Sequence, residues 1–274
     1  MTDLAGLLER WGASDPVPVA ATPTSRVYRV RLGAGRAAIV KDLTPAGVED
    51  ELRGADLLEW WGGAGSVRLL AREGTTLLLE DAGDTSLLDH LNVHGDASAT
   101  AIAAQVLAVM HAGSDRPLPD TLQPLSSRFA SLFAVAPTGA DPLVGEAAEM
   151  ADALLREQRD VRPLHGDLHH QNLLCGARGW LAIDPKGLVG DPAYDVANMF
   201  YNPLDRDDLR TDPARIRSMA SVFARALGRD VDTVVRWAFV HACLSASWHL
   251  EDGNAARAEK SLGVAAAVRA VIGV

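Results

Sequence analysis

The hydrophobic period of this chain changes once, near residue 85, and that change sets the architecture open to it. Residues 20–80 read as strands with one helix, and beyond about 85 apolar residues recur at helical spacing. "SRVYRVRL" alternates, placing Tyr28, Val30 and Leu32 on one face and Val27, Arg29 and Arg31 on the other. "GAG" at Gly33–Gly35 turns the chain and "RAAIVKDL" returns it, which makes a hairpin. Thr44-Pro45 predicts a helix start with Pro at the first helical position, and Val48, Leu52, Ala55 and Leu58 follow at helical spacing. "SVRLLARE" and "GTTLLLEDAG" predict two further strands. Later, Asp141-Pro142, Asp212-Pro213 and Asp230 or Asp232 each offer an N-cap carboxylate. "ARIRSMASVFARALG" keeps Ile216, Met219, Phe223 and Leu227 on one face and ends at Gly228, a good C-cap. The expected fold class is α+β and bilobal: a small, mostly-β lobe over residues 1–80, a junction at 81–84, and a larger, mostly-α lobe over 85–274.

Composition narrows the function classes. Hydrophobic residues make up 48% of the 274, enough for a substantial core. The net charge of -10 argues against nucleic acid, which needs clustered Lys and Arg. No stretch approaches the roughly 18 apolar residues of a membrane span, and "MTDLAGLLERWGASD" lacks the basic start and apolar run of a leader. Cys175 and Cys243 lie far apart and outside any CxxC, as buried thiols of a reducing compartment do. A cytoplasmic protein with no membrane or obligate protein partner is expected.

"LHGDLHHQNLL", Leu164 to Leu174, crowds three histidines, one aspartate and one asparagine between apolar anchors. His165 and His169 have helical zinc spacing, but Gly166 stands where that signature has Glu and argues against a regular helix. Phosphoryl transfer fits better. It needs a carboxylate to take a hydroxyl proton and an oxygen to hold magnesium on one rigid loop, with His-x-Asp followed by four residues and Asn. His165-Gly166-Asp167 precedes Asn172 at that spacing, and the apolar run Leu181–Ile183 delivers a second carboxylate, Asp184, twelve residues later. One Asp, one Asn, phosphate oxygens and waters satisfy octahedral magnesium. A capped turn and a strand ending in Asp-Pro would explain either half alone.

The phosphate-binding lysine should end a strand of the small lobe, and "AAIVK" ends in Lys41. Glu51 falls on the stripe of Val48, Ala55 and Leu58; an inward carboxylate needs a partner, and Lys41 is the nearest sensible one, a surface-exposed Glu51 being the alternative.

With these residues the chain resembles the aminoglycoside phosphotransferase family, of protein-kinase-like fold, in its streptomycin 6-phosphotransferase and hydroxyurea kinase branch. The likeness rests on "ELRGADLLEWWGGAGSVRLL" (51–70), "LLLEDAG" (77–83), "LHGDLHHQNLL" (164–174), "AIDPKGLVGDPAYDVANMFYNP" (182–203) and "LSASWHLEDG" (244–253). The resemblance implies ATP and Mg2+ as cofactors, Asp167 as catalytic base, Asn172 and Asp184 on magnesium, and Lys41, paired with Glu51, on the ATP phosphates. It makes 1–80 the nucleotide-binding lobe, 85–274 the catalytic and substrate-binding lobe, and "LEDA", including Glu80 and Ala82, a hinge that binds adenine through its backbone. There is no GxGxxG loop; "ATPTSRVYRV" stands in its place, where Thr22, Thr24 and Ser25 could cover phosphates with amides and hydroxyls. His169 replaces the usual Lys two residues after the catalytic Asp, as in antibiotic kinases. Lys186 either neutralises transferred charge or is an exposed turn lysine. His165 orders the loop, Asp195 braces it by accepting backbone N–H bonds, the role of Asp191 stays open, and Trp60, Trp61 and Phe200 are packing residues.

The acceptor is less legible. A cationic aminocyclitol carries guanidinium groups that want carboxylates. "SWHLEDG" gathers Trp248, Glu251 and Asp252 near a helix end that the resemblance places beside the acceptor pocket; an ordinary acidic helix terminus is the alternative. Three readings remain: a kinase of streptomycin-like aminocyclitols, a kinase of another small hydroxylated metabolite, and a catalytically silent nucleotide-binding protein. The intact set Lys41, Asp167, Asn172 and Asp184 argues against the last.

Overall fold

The computed structural model of the chain describes residues 4–112 and 116–273, the side chains of Glu49 and Asp50 excepted. Met1–Asp3, part of the segment read as lacking a leader, lie outside the described residues. Helix α1 (Leu4–Arg10) leads into β1 (Ser14–Ala21), β2 (Ser25–Arg31) and β3 (Ala37–Leu43); α2 (Val48–Trp61), β4 (Leu69–Glu73) and β5 (Thr76–Glu80) follow. The strands form one antiparallel sheet in the order β1-β2-β3-β5-β4. Alternation on β3 sends Ala38 and Val40 to one face, where they pack with Leu8, Val30 and Leu78, and Ile39 and Lys41 to the other. Register sets Lys41 opposite Val27 and Leu77.

The rest of the chain is chiefly helical: β6 (Thr85–Ser86), α3 (Leu87–His94), α4 (Asp96–Met110), β7 (Gln123–Pro124), α5 (Leu125–Arg128), α6 (Ala130–Val135), α7 (Pro142–Arg156), β8 (Arg162–Leu164), β9 (Leu173–Gly176), β10 (Gly179–Ala182), β11 (Leu188–Gly190), α8 (Ala197–Tyr201), α9 (Asp207–Arg210), α10 (Pro213–Leu227), α11 (Val231–Glu251) and α12 (Ala255–Arg269). The expected caps are present: Asp141, Asp212 and Asp230 each accept a backbone N–H at the start of α7, α10 and α11, and Gly228 closes α10 in the left-handed region. The mostly buried α11 is the axis on which α6, α7, α8, α10 and α12 pack. None of the described helices is long and apolar enough to cross a membrane.

Four local readings change. Helix α2 begins at Val48, not at Pro45, because Thr44–Gly47 closes a turn (Gly47 N–H to Thr44 O, 2.9 Å) before it. Strand β1 carries Pro16 and Pro18 and gives no sequence signal; its place at the sheet edge tolerates residues without an N–H. Two small three-stranded sheets, β10-β9-β6 and β7-β11-β8, interrupt the helical part. Cys243 is buried, but Cys175 is only partly so. Trp61 and Phe200 are core; Trp60 is half-buried and donates its indole N–H to Pro117 O at 2.9 Å.

Candidate active site

The loop between β8 and β9 is shaped by one glycine. Gly166 has φ +76, and a Cβ there would meet Leu188 Cδ1 at 2.7 Å, so another residue would be strained and crowded together. The turn aims the N–H groups of His165 and Gly166 at Asp195, whose Oδ2 and Oδ1 accept them at 2.9 and 2.7 Å. His111 Nε2 lies 2.9 Å from Oδ2. Burial alone would push the Asp195 carboxyl up, but the His111 contact and the backbone donors outweigh it and hold it below the ordinary carboxylate range. Asp195 thus braces the loop.

His165 is engaged at both nitrogens. Nδ1 accepts the Asp167 N–H at 3.2 Å, and Nε2 donates to Ile183 O at 2.8 Å. Burial pushes its pKa down against the Asp195 and Asp167 charges, so the ring is neutral and ties the Asp167 loop to the strand that delivers Asp184. His169 Nδ1 accepts the Gln171 N–H at 3.2 Å. His170 is buried with neither ring nitrogen hydrogen-bonded to a described residue, and burial, with Arg215 and His169 nearby, lowers its pKa to about 3. The three rings serve three different surroundings and do not converge.

Asp167 Oδ1 accepts from Asn198 Nδ2 at 3.0 Å. Asn172 Nδ2 donates to Asp167 O at 2.9 Å, which leaves the side-chain oxygen Oδ1 of Asn172 as its open function. The Ile183 N–H to Asn172 O bond, 2.9 Å, draws the Asp184 strand to the same loop. Asp184 adopts φ 58, and its Oδ1 meets Lys41 Nζ at 2.8 Å; Lys41 also meets Glu51 Oε2 at 2.7 Å. Burial drives the Lys41 ammonium down and the Asp184 carboxyl up, yet each charge stabilises the other and the net shifts are reversed: Lys41 up, Asp184 down. Asn172 and Asp184 are hard oxygen donors that share one backbone junction, which is chemistry that suits magnesium. Helix α2 is fixed against this junction by Gly54, where a Cβ would overlap Pro185 O at 2.0 Å. Lys186 is largely buried, with Nζ 3.7 Å from Glu51 Oε1 and its N–H bonded to His165 O at 2.7 Å, so it is no exposed turn lysine.

On the other side of Asp167 lies a cavity of about 400 Å3, lined among others by Asn198, His241, Trp248 and Arg128. Asn198 Oδ1 accepts from Asn202 Nδ2 (2.9 Å) and His241 Nε2 (3.1 Å), and Tyr194 O–H reaches His241 Nδ1 at 3.2 Å. Burial, then Arg128, lowers the His241 pKa to about 3, and burial pushes the Tyr194 phenol up to about 12. The chain Tyr194–His241–Asn198–Asp167 therefore has fixed, neutral donors behind the carboxylate.

Residues 10–253 match the family model described as aminoglycoside/hydroxyurea antibiotic resistance kinase. A streptomycin 3''-kinase of Klebsiella pneumoniae is 38% identical over 90% of this chain and 92% of its own length. The chain belongs to the aminoglycoside/hydroxyurea antibiotic resistance kinase family. A hydroxyurea phosphotransferase of Kitasatospora aureofaciens is 32% identical over 96% of this kinase and 76% of its own length. In fold, the kinase matches the hygromycin B and AMP-PNP complex of the aminoglycoside phosphotransferase APH(4)-Ia with a TM-score of 0.65 at 17% identity, each chain covered fully. A choline kinase of Cryptosporidium parvum gives 0.65 at 10% identity over 98% of this chain and 94% of that one. The architecture is the bilobal protein-kinase-like one.

The kinase brings together Lys41, Glu51, Asp167, Asn172, Asp184, Lys186, His165 and Asp195 at one cleft. Other expected site residues stand differently. Ser25 is buried and its N–H is bonded to Thr22 Oγ1 (3.1 Å), while Thr24 O accepts from Thr44 N (2.9 Å); this turn packs on the start of α2. Glu80 spends its carboxylate on Arg178 (2.7 and 2.5 Å) and the Arg68 N–H (3.1 Å), which clasps β5 to the β9–β10 hairpin. Ala82 is buried, and its backbone N–H and C=O bond to no described residue. Trp248 lines the cavity; Glu251 and Asp252 are exposed at the end of α11 and are not among its lining residues. Asp191 caps the turn before α8 through the Ala193 N–H (2.9 Å). Sequence reading missed Asn198, Arg128 and His241; only the position of Asn198, three residues after Asp195 in the "GDPAYDVAN" string, could have marked one of them.

Proposed function

We propose that this kinase transfers the γ-phosphoryl group of ATP, with magnesium, to a hydroxyl of a small molecule. The observation that carries the reading is the cleft in which Lys41, held between Glu51 and Asp184 at 2.7 and 2.8 Å, faces a loop whose Asp167 is pinned by Asn198 at 3.0 Å. Lys41 binds phosphate oxygens and Glu51 keeps it extended. Asn172 and Asp184 would hold magnesium, which neutralises phosphate charge when bound. The Asn198 bond fixes Asp167 Oδ1 and leaves Oδ2 to take the proton of the attacking hydroxyl. Lys186 lies close enough to Glu51 to add positive charge beside the transferred group. The hinge backbone at Ala82 reads adenine. A cytoplasmic site of action would suit the two free thiols, Cys175 and Cys243.

Relatives named streptomycin 3''-kinase and streptomycin 6-kinase make streptomycin the first acceptor to test, although the two names specify different hydroxyls. A second reading, another hydroxylated metabolite, is favoured by the basic side chains of the cavity beside Asp167. The test is magnesium-dependent ADP release across a panel of aminoglycosides, sugars and polyols, wild type against Asp167→Asn. Nucleotide binding without release for any acceptor would leave the silent nucleotide-binding protein as the surviving reading.

A further inference from the structure

Asp167 ends a hydrogen-bond chain in which the direction of every link is forced. As a base the carboxylate is ionised and only accepts, so the Asn198 atom 3.0 Å from its Oδ1 is the amide nitrogen, and the amide oxygen points away. Asn202 fixes the same orientation from the other side. Its Nδ2 donates at 3.0 Å to the Asn198 backbone oxygen, which can only accept, and the same nitrogen lies 2.9 Å from Asn198 Oδ1. His241 Nε2 is 3.1 Å from that Oδ1, so this nitrogen carries the ring proton. The buried ring is neutral, which leaves Nδ1 a lone pair 3.2 Å from the Tyr194 hydroxyl, and Tyr194 must donate to it. The Tyr194 oxygen is left to accept, and the group engaged with it is Arg128, which can only donate.

A donor-only guanidinium at one end and an acceptor-only carboxylate at the other thus agree on one sense for the links between them. Packing holds that sense. Tyr194 and His241 are both buried. The Tyr194 ring meets Phe129 and Trp237 edge to face, each at 5.5 Å between centres, and His241 meets Tyr194, Tyr201 and Trp248 edge to face at 5.8, 6.0 and 6.3 Å. Arg128 stacks on Trp248, its guanidinium carbon 4.7 Å from the ring centre. Links aligned in one sense polarise one another, and here each turns its positive end toward Asp167. The other neutral tautomer of His241 would set the Nε2 lone pair against Asn198 Oδ1 and lose that support. We infer that Tyr194 and His241 are positioning residues of the transfer: through the Nε2–H tautomer of His241 they hold Asn198 with its amide nitrogen, not its oxygen, on Asp167. The inference rests on the phosphotransferase reading above and deepens it, since Tyr194 acts on the base without lining the acceptor cavity.

The tautomer is read from the full-length kinase labelled with 15N-histidine, by long-range proton–nitrogen correlation; the His241 signals are those lost in His241→Gln. Nδ1 should resonate as a pyridine-like nitrogen and Nε2 as a pyrrole-like one. Phosphoryl transfer from magnesium-ATP to streptomycin, then to the other acceptors of the panel above, supplies kcat and both KM values. Tyr194→Phe keeps the packed ring and loses the donor; kcat should fall about tenfold, the scale of a misplaced base, with KM unchanged for ATP and for the acceptor. His241→Gln places an amide nitrogen where Nε2 stands and should keep most of the wild-type kcat. His241→Asn reaches only the Nδ1 position and should lose about tenfold, the scale of a lost hydrogen bond to the base's partner. A merely structural role would lower the melting temperature and leave kcat per folded molecule alike in the Gln and Asn variants. An Nδ1–H tautomer or a charged ring, wild-type kcat in Tyr194→Phe, or equal kcat in His241→Gln and His241→Asn overturns the inference and leaves the kinase reading standing. No transfer by the wild type to any acceptor removes both.

Discussion

Lys41 and Asp184, 143 positions apart, meet at 2.8 Å, and Glu51 takes the same ammonium at 2.7 Å. A strand of the small sheet, its neighbouring helix and the turn after β10 thus share one buried charge.

Breaking that arrangement should cost more stability than an exposed pair. Lys41→Met leaves Glu51 buried beside only the more distant Lys186. A loss of about 3 kcal/mol is expected, from the penalty for a buried charge without its partner. Adding Glu51→Gln to Lys41→Met should recover part of it, although nucleotide affinity stays low. Urea unfolding of both variants decides this; equal stability of wild type and Lys41→Met would refute it.

Asp167→Asn should retain AMP-PNP binding and lose roughly 10²–10⁴ in turnover, the range for removing a general base. Single-turnover phosphoryl transfer is the measurement, and wild-type speed would show that Asp167 is not the proton acceptor.

Asn198 acts through Asp167 and should be separable from it. Asn198→Ala frees Asp167 Oδ1 and should lower kcat about tenfold or more, the penalty of a misplaced base, with the KM for ATP unchanged. Asn198→Asp puts a like charge about 3 Å from Asp167 and should move the acid limb of the rate profile to higher pH. A merely structural role would lower stability and leave that limb in place.

His170 and His241 make the fold acid-sensitive. Their folded pKa values, about 3, lie below the unfolded value near 6.5, so acid protonates the unfolded chain first. Their stabilisation is whole above about pH 6.5 and falls as pH drops from there toward 3, at about 1.4 kcal/mol per pH unit for each ring. His170→Leu removes an imidazole with no described partner, so its unfolding free energy should lose less on acidification by about that slope. Parallel pH dependence of the two proteins would contradict the assignment.

The grouping of the candidate site residues was legible because most of them sit in one segment: Asp167, Asn172 and Asp184 are set by spacing, and Lys41 and Glu51 by the periods of one strand and one helix. Asn198, His241 and Arg128 were not, since each reaches the site through packing of α5, α8 and α11 that no local pattern encodes. Glu251 and Asp252 show the converse: they are near Trp248 in sequence, but the helix end leaves them exposed and outside the cavity lining. Pro16 and Pro18 concealed β1, because proline marks an interior strand as unlikely and says nothing against an edge.

The apolar core does not stop at residues 81–84. Leu77 and Leu79 of β5 and Leu57 of α2 belong to the same buried cluster as Leu164, Leu173 and Leu181 beneath the catalytic loop. A chain cut between Gly83 and Asp84 would yield two fragments, each with a bare greasy face that only the other can cover. Separately expressed halves should aggregate, mixed halves should reassemble, and the intact chain should melt in a single calorimetric step.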